Sequence, residues 1–191
     1  MDIYRAGRLP ETIGALPTVD LDRVSTLGVE TLVLVAALLL MAGAWRAQLP
    51  LIRGLMGEWR VRWLLRRQGV EAAHDLLLPR PDKAGWTQLD HLVRLPDRLL
   101  VLETKCLRGR LSGRVDERTW TQQFGPWRFG FLNPLWQNAL HIEAVRARAG
   151  PGVRVEGMVV LLGRGWFEDG LPDGCYRLEG LRRRLVELPT R

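Results

Sequence analysis

Cysteine is scarce in this 191-residue chain. Only Cys106 and Cys175 occur, far apart and outside any C-x-x-C or Cys/His cluster, which argues against a disulfide framework and a structural zinc site. Two reduced thiols in a reducing compartment is the reading that remains. Lysine is scarce as well: Lys83 and Lys105 are the two lysines among 28 basic residues, so each stands out from an arginine background that carries little functional weight by itself. Internal repeats and low-complexity stretches are missing, which excludes repeat architectures and a disordered chain.

The residues that are present suit one good hydrophobic core plus a modest extra segment, with 47% of the chain apolar. A balance of 28 basic against 21 acidic residues gives a net charge of +7 and a pI near 10.6. Such a surface suits a polyanionic partner, either nucleic acid or the anionic face of a membrane.

Residues 1–26 contain Pro10, Gly14 and Pro17 without periodicity and read as a flexible leader. Residues 27–47 follow, with an uncharged centre at 31–45 that is apolar on every side, as expected of a transmembrane helix or of a buried or interfacial one. The uncharged part is shorter than the roughly 20 residues a full span prefers, so Glu30 or Arg46 would sit at the interface and snorkel toward water. Glu11, Asp20, Asp22 and Glu30 ahead of the run argue against a cleaved secretory signal. Arg46, Arg53, Arg60, Arg62, Arg66 and Arg67 come after it, so the positive-inside bias puts the C-terminal domain in the cytoplasm of a single-pass protein.

The domain expected at residues 50–165 opens with an amphipathic helix over 54–69, where Leu55, Trp59, Trp63 and the Leu64/Leu65 pair recur at helical spacing and Gly69 is a stop. Strands are expected at 73–79, at 87–95 and 98–106 as an antiparallel pair turning at Pro96–Asp97, and at 109–115. A loop rich in Trp120, Phe124, Trp127, Phe129 and Phe131 comes next. A second helix over 134–149 begins at an Asn133 cap with Pro134 behind it and carries Leu135, Ala139, Ile142 and Val145 on one stripe. Residues 153–163 lose alternation toward their end, as a strand buried on both faces does. Residues 166–191 form a C-terminal extension whose stretch 178–188 is ambiguous. The fold class is therefore α/β, a mixed central sheet with strands near 73, 88, 99, 111 and 155, flanked by helices, behind an N-terminal transmembrane helix.

Glu103 and Lys105 lie two apart on a predicted strand, so both project from one face, with Cys106 turned to the other. Asp90 interrupts the apolar pattern of the neighbouring strand, where a hairpin brings it beside Glu103. Paired carboxylates repel unless a cation lies between them, and oxygen ligands of this kind suit Mg2+ or Mn2+, with Asp90 and Glu103 as the metal-binding acids. Lys105 would orient a metal-activated water or stabilise the transition state, and Glu58 on the preceding helix would be a supporting acid. The plain alternative is an exposed Glu–Lys salt bridge with no function. His74 and His91 read as structural or surface histidines.

The order of these residues resembles a known family. A Gly-Glu on the first helix, TQLDHLV, VLETK and N-P-L-x-Q-N-x-x-H-I together are similar to the nuclease-related (NERD) domain, a relative of the PD-(D/E)XK nuclease superfamily, over about residues 54–162. The resemblance implies a restriction-endonuclease-like core and a DNA-processing role. It gives Glu58, Asp90, Glu103 and Lys105 the positions of the catalytic acids and lysine, with Gln88 beside the second motif. Gln137, Asn138 and His141 fall in the family's conserved helix, where they position a phosphate or brace the site. Cys106 departs from the polar residue expected after the lysine. The expected function is a membrane-anchored, metal-dependent nuclease hydrolysing phosphodiester bonds in DNA. The alternative is a catalytically inactive module of the same fold that binds nucleic acid or a partner protein at the membrane.

Overall fold

The structure, a computed structural model, describes residues 21–82 and 84–187. Residues 1–20 of the expected leader and Lys83 lie outside the described residues. The chain divides into two compact units at Ala47/Gln48. One helix, α1 (Leu21–Arg67), carries both segments expected to be helical, and residues 21–26, expected in the leader, already belong to it. Pro50 falls within α1 close to the division, where its missing amide removes one rung of the helical ladder.

In the first unit, Gly28–Trp45 is long and apolar enough to cross a membrane, and its side chains are exposed. The second unit contains β1 (Glu71–Pro79), β2 (Trp86–Arg94), β3 (Arg98–Cys106), β4 (Gly109–Ser112), β5 (Thr119–Phe124), β6 (Trp127–Leu132), α2 (Pro134–Ala149), β7 (Arg154–Leu162), β8 (Gly165–Phe167), β9 (Cys175–Tyr176) and α3 (Leu178–Glu187). The class is mixed α/β as expected, but the strands form two sheets. The central one has the order β1-β2-β3-β7-β9, and a smaller one has the order β6-β5-β4-β8. The strand expected near 111 thus leaves the central sheet. The aromatic segment expected as a loop is the β5–β6 hairpin, in which Trp120 faces Phe131 and Phe124 faces Trp127.

The central sheet is covered on both faces. Val61, Leu64 and Leu65 of α1 and Leu181 and Leu185 of α3 pack on Val93, Leu100, Leu102, Met158, Val160 and Leu162. On the opposite face, Val145 and Ile142 of α2 pack on Leu89, Val101 and Val155. β7 sends Met158 and Val160 to one side and Val159 and Leu161 to the other, which explains its lost alternation. The C-terminal stretch is therefore no appendage: α3 supplies two fully buried leucines to the main core.

The expected stripe of α2 holds at Leu135, Ile142 and Val145, which pack on the core, and is corrected at Ala139. The buried residues of the helix are Pro134, Asn138, His141, Ala144 and Val145, while Ala139 is exposed. Asn133 does cap the helix, its side chain accepting from the Leu135 amide at 2.9 Å. Two polar residues on the inner face tie the helix to the sheet instead of filling it. The Asn138 amide donates to the carbonyls of Val101 on β3 and Met158 on β7. Gly157 permits that approach, since a Cβ there would lie 2.7 Å from Asn138 Nδ2 and 2.5 Å from Ile142 Cδ1.

Candidate active site

β2 and β3 pair antiparallel from Arg94↔Leu99 to His91↔Leu102, and the ladder stops there. The next row in this register would set Asp90 against Glu103. Two carboxylates facing each other repel, and the strands part where they would meet. Asp90 Oδ2 instead takes the amide of Thr104 at 2.7 Å, filling the missing rung with a side chain.

The same row is irregular on β1. The β1–β2 ladder runs through His74↔His91 and resumes at Leu76↔Leu89, leaving out Asp75 and Asp90. Asp75 has φ 54°, a conformation that aspartate tolerates better than most residues. Leu89 and Leu92 both join the α2-side core although they are an odd number of residues apart, so the pleat slips by one place at Asp90. The break re-aims the side chains of this row, as bulges near functional sites do.

Glu103 is 1% exposed, the most deeply buried acid among the described residues. Lys105 Nζ stands 2.8 Å from its Oε1, and His141 Nε2 stands 3.1 Å from its Oε2. The other ring nitrogen of His141, Nδ1, is 2.8 Å from Thr87 Oγ1 on β2. Gln137 Nε2 reaches the same ring at 3.5 Å. Although both side chains lie within 3.1 Å, neither oxygen of Glu103 receives a well-directed hydrogen bond.

Glu58 reaches this edge from α1 because Gly57, the residue before it, lies flat on the sheet. A Cβ at Gly57 would come within 3.1 Å of Leu162 Cδ1 and 3.7 Å of Thr104 Cγ2. Burial, together with the charge of Asp75 and, more weakly, of Glu103, raises the Glu58 carboxyl above its usual range. Arg62, one turn on along α1, makes an ion pair with Asp75.

Asp90 is perturbed most. Burial first and the Glu103 carboxylate second push it up to about 7, against the opposing pull of the Thr104 amide. A carboxyl raised toward neutrality by a neighbouring acid, beside oxygens that receive no directed hydrogen bond, is the kind of surrounding in which a cation relieves repulsion. Among the described residues no three His, Cys, Asp or Glu side chains gather to hold a metal alone. The Asp90–Glu103 pair fits a hard, hydrated ion such as Mg2+, which keeps several waters and takes one or two carboxylates.

The structure thus brings together Glu58, Asp90, Glu103 and Lys105 as electrostatic neighbours, with His141 behind Glu103. Gln88 is exposed and Gln137 half-exposed. Asn138, expected among the substrate-contacting groups, is 3% exposed and spends its amide on two strand carbonyls, which makes it a brace. Thr87 and Asp75 were not singled out from sequence. A polar residue two places before Leu89 on an alternating strand was the only signal for Thr87, and none marked Asp75. His91 is fully buried, with Nδ1 2.8 Å from His74 Nδ1, and burial with the nearby positive charge lowers it to about 4. The two rings, expected to be structural or surface groups, meet one another edge to face.

A family model described as nuclease-related domain matches residues 53–162. An uncharacterized protein of Bacillus anthracis is 28% identical over 116 residues, covering 60% of this chain and 55% of that protein. The chain therefore spans about half the length of the curated relative it matches. No solved structure matches the chain.

Proposed function

The chain belongs to the nuclease-related domain family, and from that premise we propose that it is a membrane-anchored, metal-dependent nuclease hydrolysing phosphodiester bonds in DNA. The observation that carries this reading is the opened β2–β3 ladder, beyond which the Asp90 and Glu103 carboxylates lie close enough to couple electrostatically, with Lys105 2.8 Å from Glu103. Asp90 and Glu103 would hold Mg2+ or Mn2+. Such an ion, when bound, lowers the pKa of a water and offsets charge on a phosphoryl oxygen.

The chain's own groups have separate tasks. Lys105 projects from the same strand face as Glu103 and carries the point charge that orients the attacking water or meets the phosphoryl oxygens. Glu58 adds an acid at the rim, its carboxyl raised above the usual range by burial. His141, held by Thr87, fixes Glu103. Gln88 and Gln137 are accessible for phosphate contacts. In this reading Gly28–Trp45 serves as the anchor, and the positive-inside bias of the arginines that follow supports a cytoplasmic domain.

A second reading has one observation in its favour. Lys105 and His141 flank both oxygens of Glu103, so the chain's own side chains could stand where an ion would and leave a module that binds nucleic acid without cutting it. The test is cleavage of linear and circular DNA by the full chain in detergent, wild type and Glu103→Ala, with Mg2+, Mn2+ or EDTA. Metal-dependent cleavage lost in the variant is the expected result. Equal retention of DNA by both proteins without cleavage would replace the enzyme with the binding module.

A further inference from the structure

The core-facing side of α1 is accounted for by Gly57, Val61, Leu64 and Leu65. At 100° per residue, Trp59 lies about 200° round the helix from both Gly57 and Val61. Leu51, Leu55, Trp59 and Trp63 follow one another at intervals of four on that outer side, with Met56 beside them, and all are exposed. Trp59 is 62% and Trp63 47% exposed. A stripe of this kind on a surface helix ordinarily faces something apolar.

We propose that this outer stripe of α1, Leu51–Leu55–Trp59–Trp63, docks on the surface of an anionic lipid bilayer. Three observations select that occupant. The stripe is rich in tryptophan, whose ring belongs at the boundary between acyl chains and headgroups. Arg60 and Arg66 border it and have no ion-pair partner among the described residues, and Arg67 stands over the Trp63 ring at 4.6 Å. The one acid on this part of the helix, Glu58, belongs to the candidate active site. Finally, only residues 46–50 separate the stripe from Gly28–Trp45. Five residues reach at most about 17 Å even when extended, so the stripe stays close to any bilayer that segment crosses.

A second copy of this chain is a poorer occupant, because an isologous contact would set these arginines against their own copies. Anionic headgroups complement them, at about 1 kcal/mol per basic residue near the surface. The inference rests on the reading of Gly28–Trp45 as a membrane span and is independent of the nuclease reading. Its consequence is positional: Glu58 adjoins Trp59 in the chain, so docking would hold the candidate active edge about one helix diameter from the lipid.

The experiment uses the full chain reconstituted into phosphatidylcholine/phosphatidylglycerol vesicles whose acyl chains are brominated near the headgroups and quench tryptophan on contact. Trp45→Phe first removes the tryptophan of the span. In that background the expected result is clear quenching that is largely lost when Trp59→Phe and Trp63→Phe are added, and that weakens when phosphatidylcholine replaces phosphatidylglycerol. Equal quenching with and without Trp59 and Trp63 overturns the proposal while leaving the span intact. So does cross-linking of two copies through the stripe without quenching. Failure of the protein to float with the vesicles overturns the span reading and the docking together.

Discussion

His141 Nε2 lies 3.1 Å from Glu103 Oε2 while Nδ1 of the same ring lies 2.8 Å from Thr87 Oγ1. A helix residue is thereby pinned by one strand in front of an acid on the next. An imidazole held at Nδ1 by a hydroxyl, with Nε2 against an acid, has its ring plane fixed by its neighbours, and the acid it faces loses freedom to rotate. His141 is accordingly a positioning residue for Glu103.

His141→Ala should lower kcat for metal-dependent cleavage by about 10- to 100-fold, the usual scale for a group that orients a ligating acid, with little change in KM for DNA. His141→Gln retains a nitrogen that can face Glu103 and should recover part of the loss. Steady-state kinetics decide the role. A rise in KM at unchanged kcat would mean that His141 contacts substrate.

Two buried groups give stability opposite dependences on pH. Asp90 is raised from 3.8 to about 7, so the folded state binds the extra proton and stability falls as pH rises through that interval. His91 is lowered from 6.5 to about 4, so the unfolded state binds the extra proton and stability falls as pH drops through that one. At their limits the effects are on the order of 4 kcal/mol for Asp90 and 3 kcal/mol for His91. Between about pH 4 and 6.5 they oppose one another. Urea unfolding in EDTA should show Asp90→Asn growing more stable from pH 4 to 6.5 and His91→Asn growing less stable. Asparagine at position 90 still offers an oxygen to the Thr104 amide. Parallel profiles for the two variants would refute the assignment.

The central elements were legible because their signals are local. The Glu103/Lys105 alternation, the turn at Pro96–Asp97 and the Asn133–Pro134 helix start each follow from one short stretch of chain, and β2, β3 and α2 begin and end close to where those signals put them. The second sheet was not legible. β6 (WRFGFL) is exposed at nearly every position and so lacks the half-buried alternation by which strands are recognised. α3 was ambiguous because Leu181 and Leu185 are its only buried residues. The site was legible as types of residue and their order, whereas the slip at Asp75/Asp90 depends on how two strands pair and has no counterpart in either strand alone.

The core position of α3 makes a prediction about the C-terminal segment. Leu181 and Leu185 sit in the cluster that also holds Val61 and Leu65 of α1, Leu100 and Leu102 of β3. Leu181→Ala should cost about 2–5 kcal/mol of stability, as expected for a fully buried leucine. Arg183→Ala on the exposed side of the same helix should stay within about 0.5 kcal/mol. Chemical denaturation of both variants checks this, and a small loss for Leu181→Ala would show that α3 contributes little to the core.

Metal binding should be coupled to the proton on Asp90. With its carboxyl pushed up to about 7 by burial and Glu103, Asp90 is largely protonated at pH 6, and an ion that it ligates must displace that proton. Titration of the full chain with Mg2+ at pH 6 should give an apparent enthalpy that depends on the ionisation enthalpy of the buffer, corresponding to release of up to about one proton. At pH 9 the dependence should vanish, since the carboxylate is already charged, and the affinity should be higher. Asp90→Asn should abolish the proton release at pH 6. Buffer-independent binding at pH 6 by the wild-type chain would exclude Asp90 from the metal site and leave Glu103 to be tested with other partners.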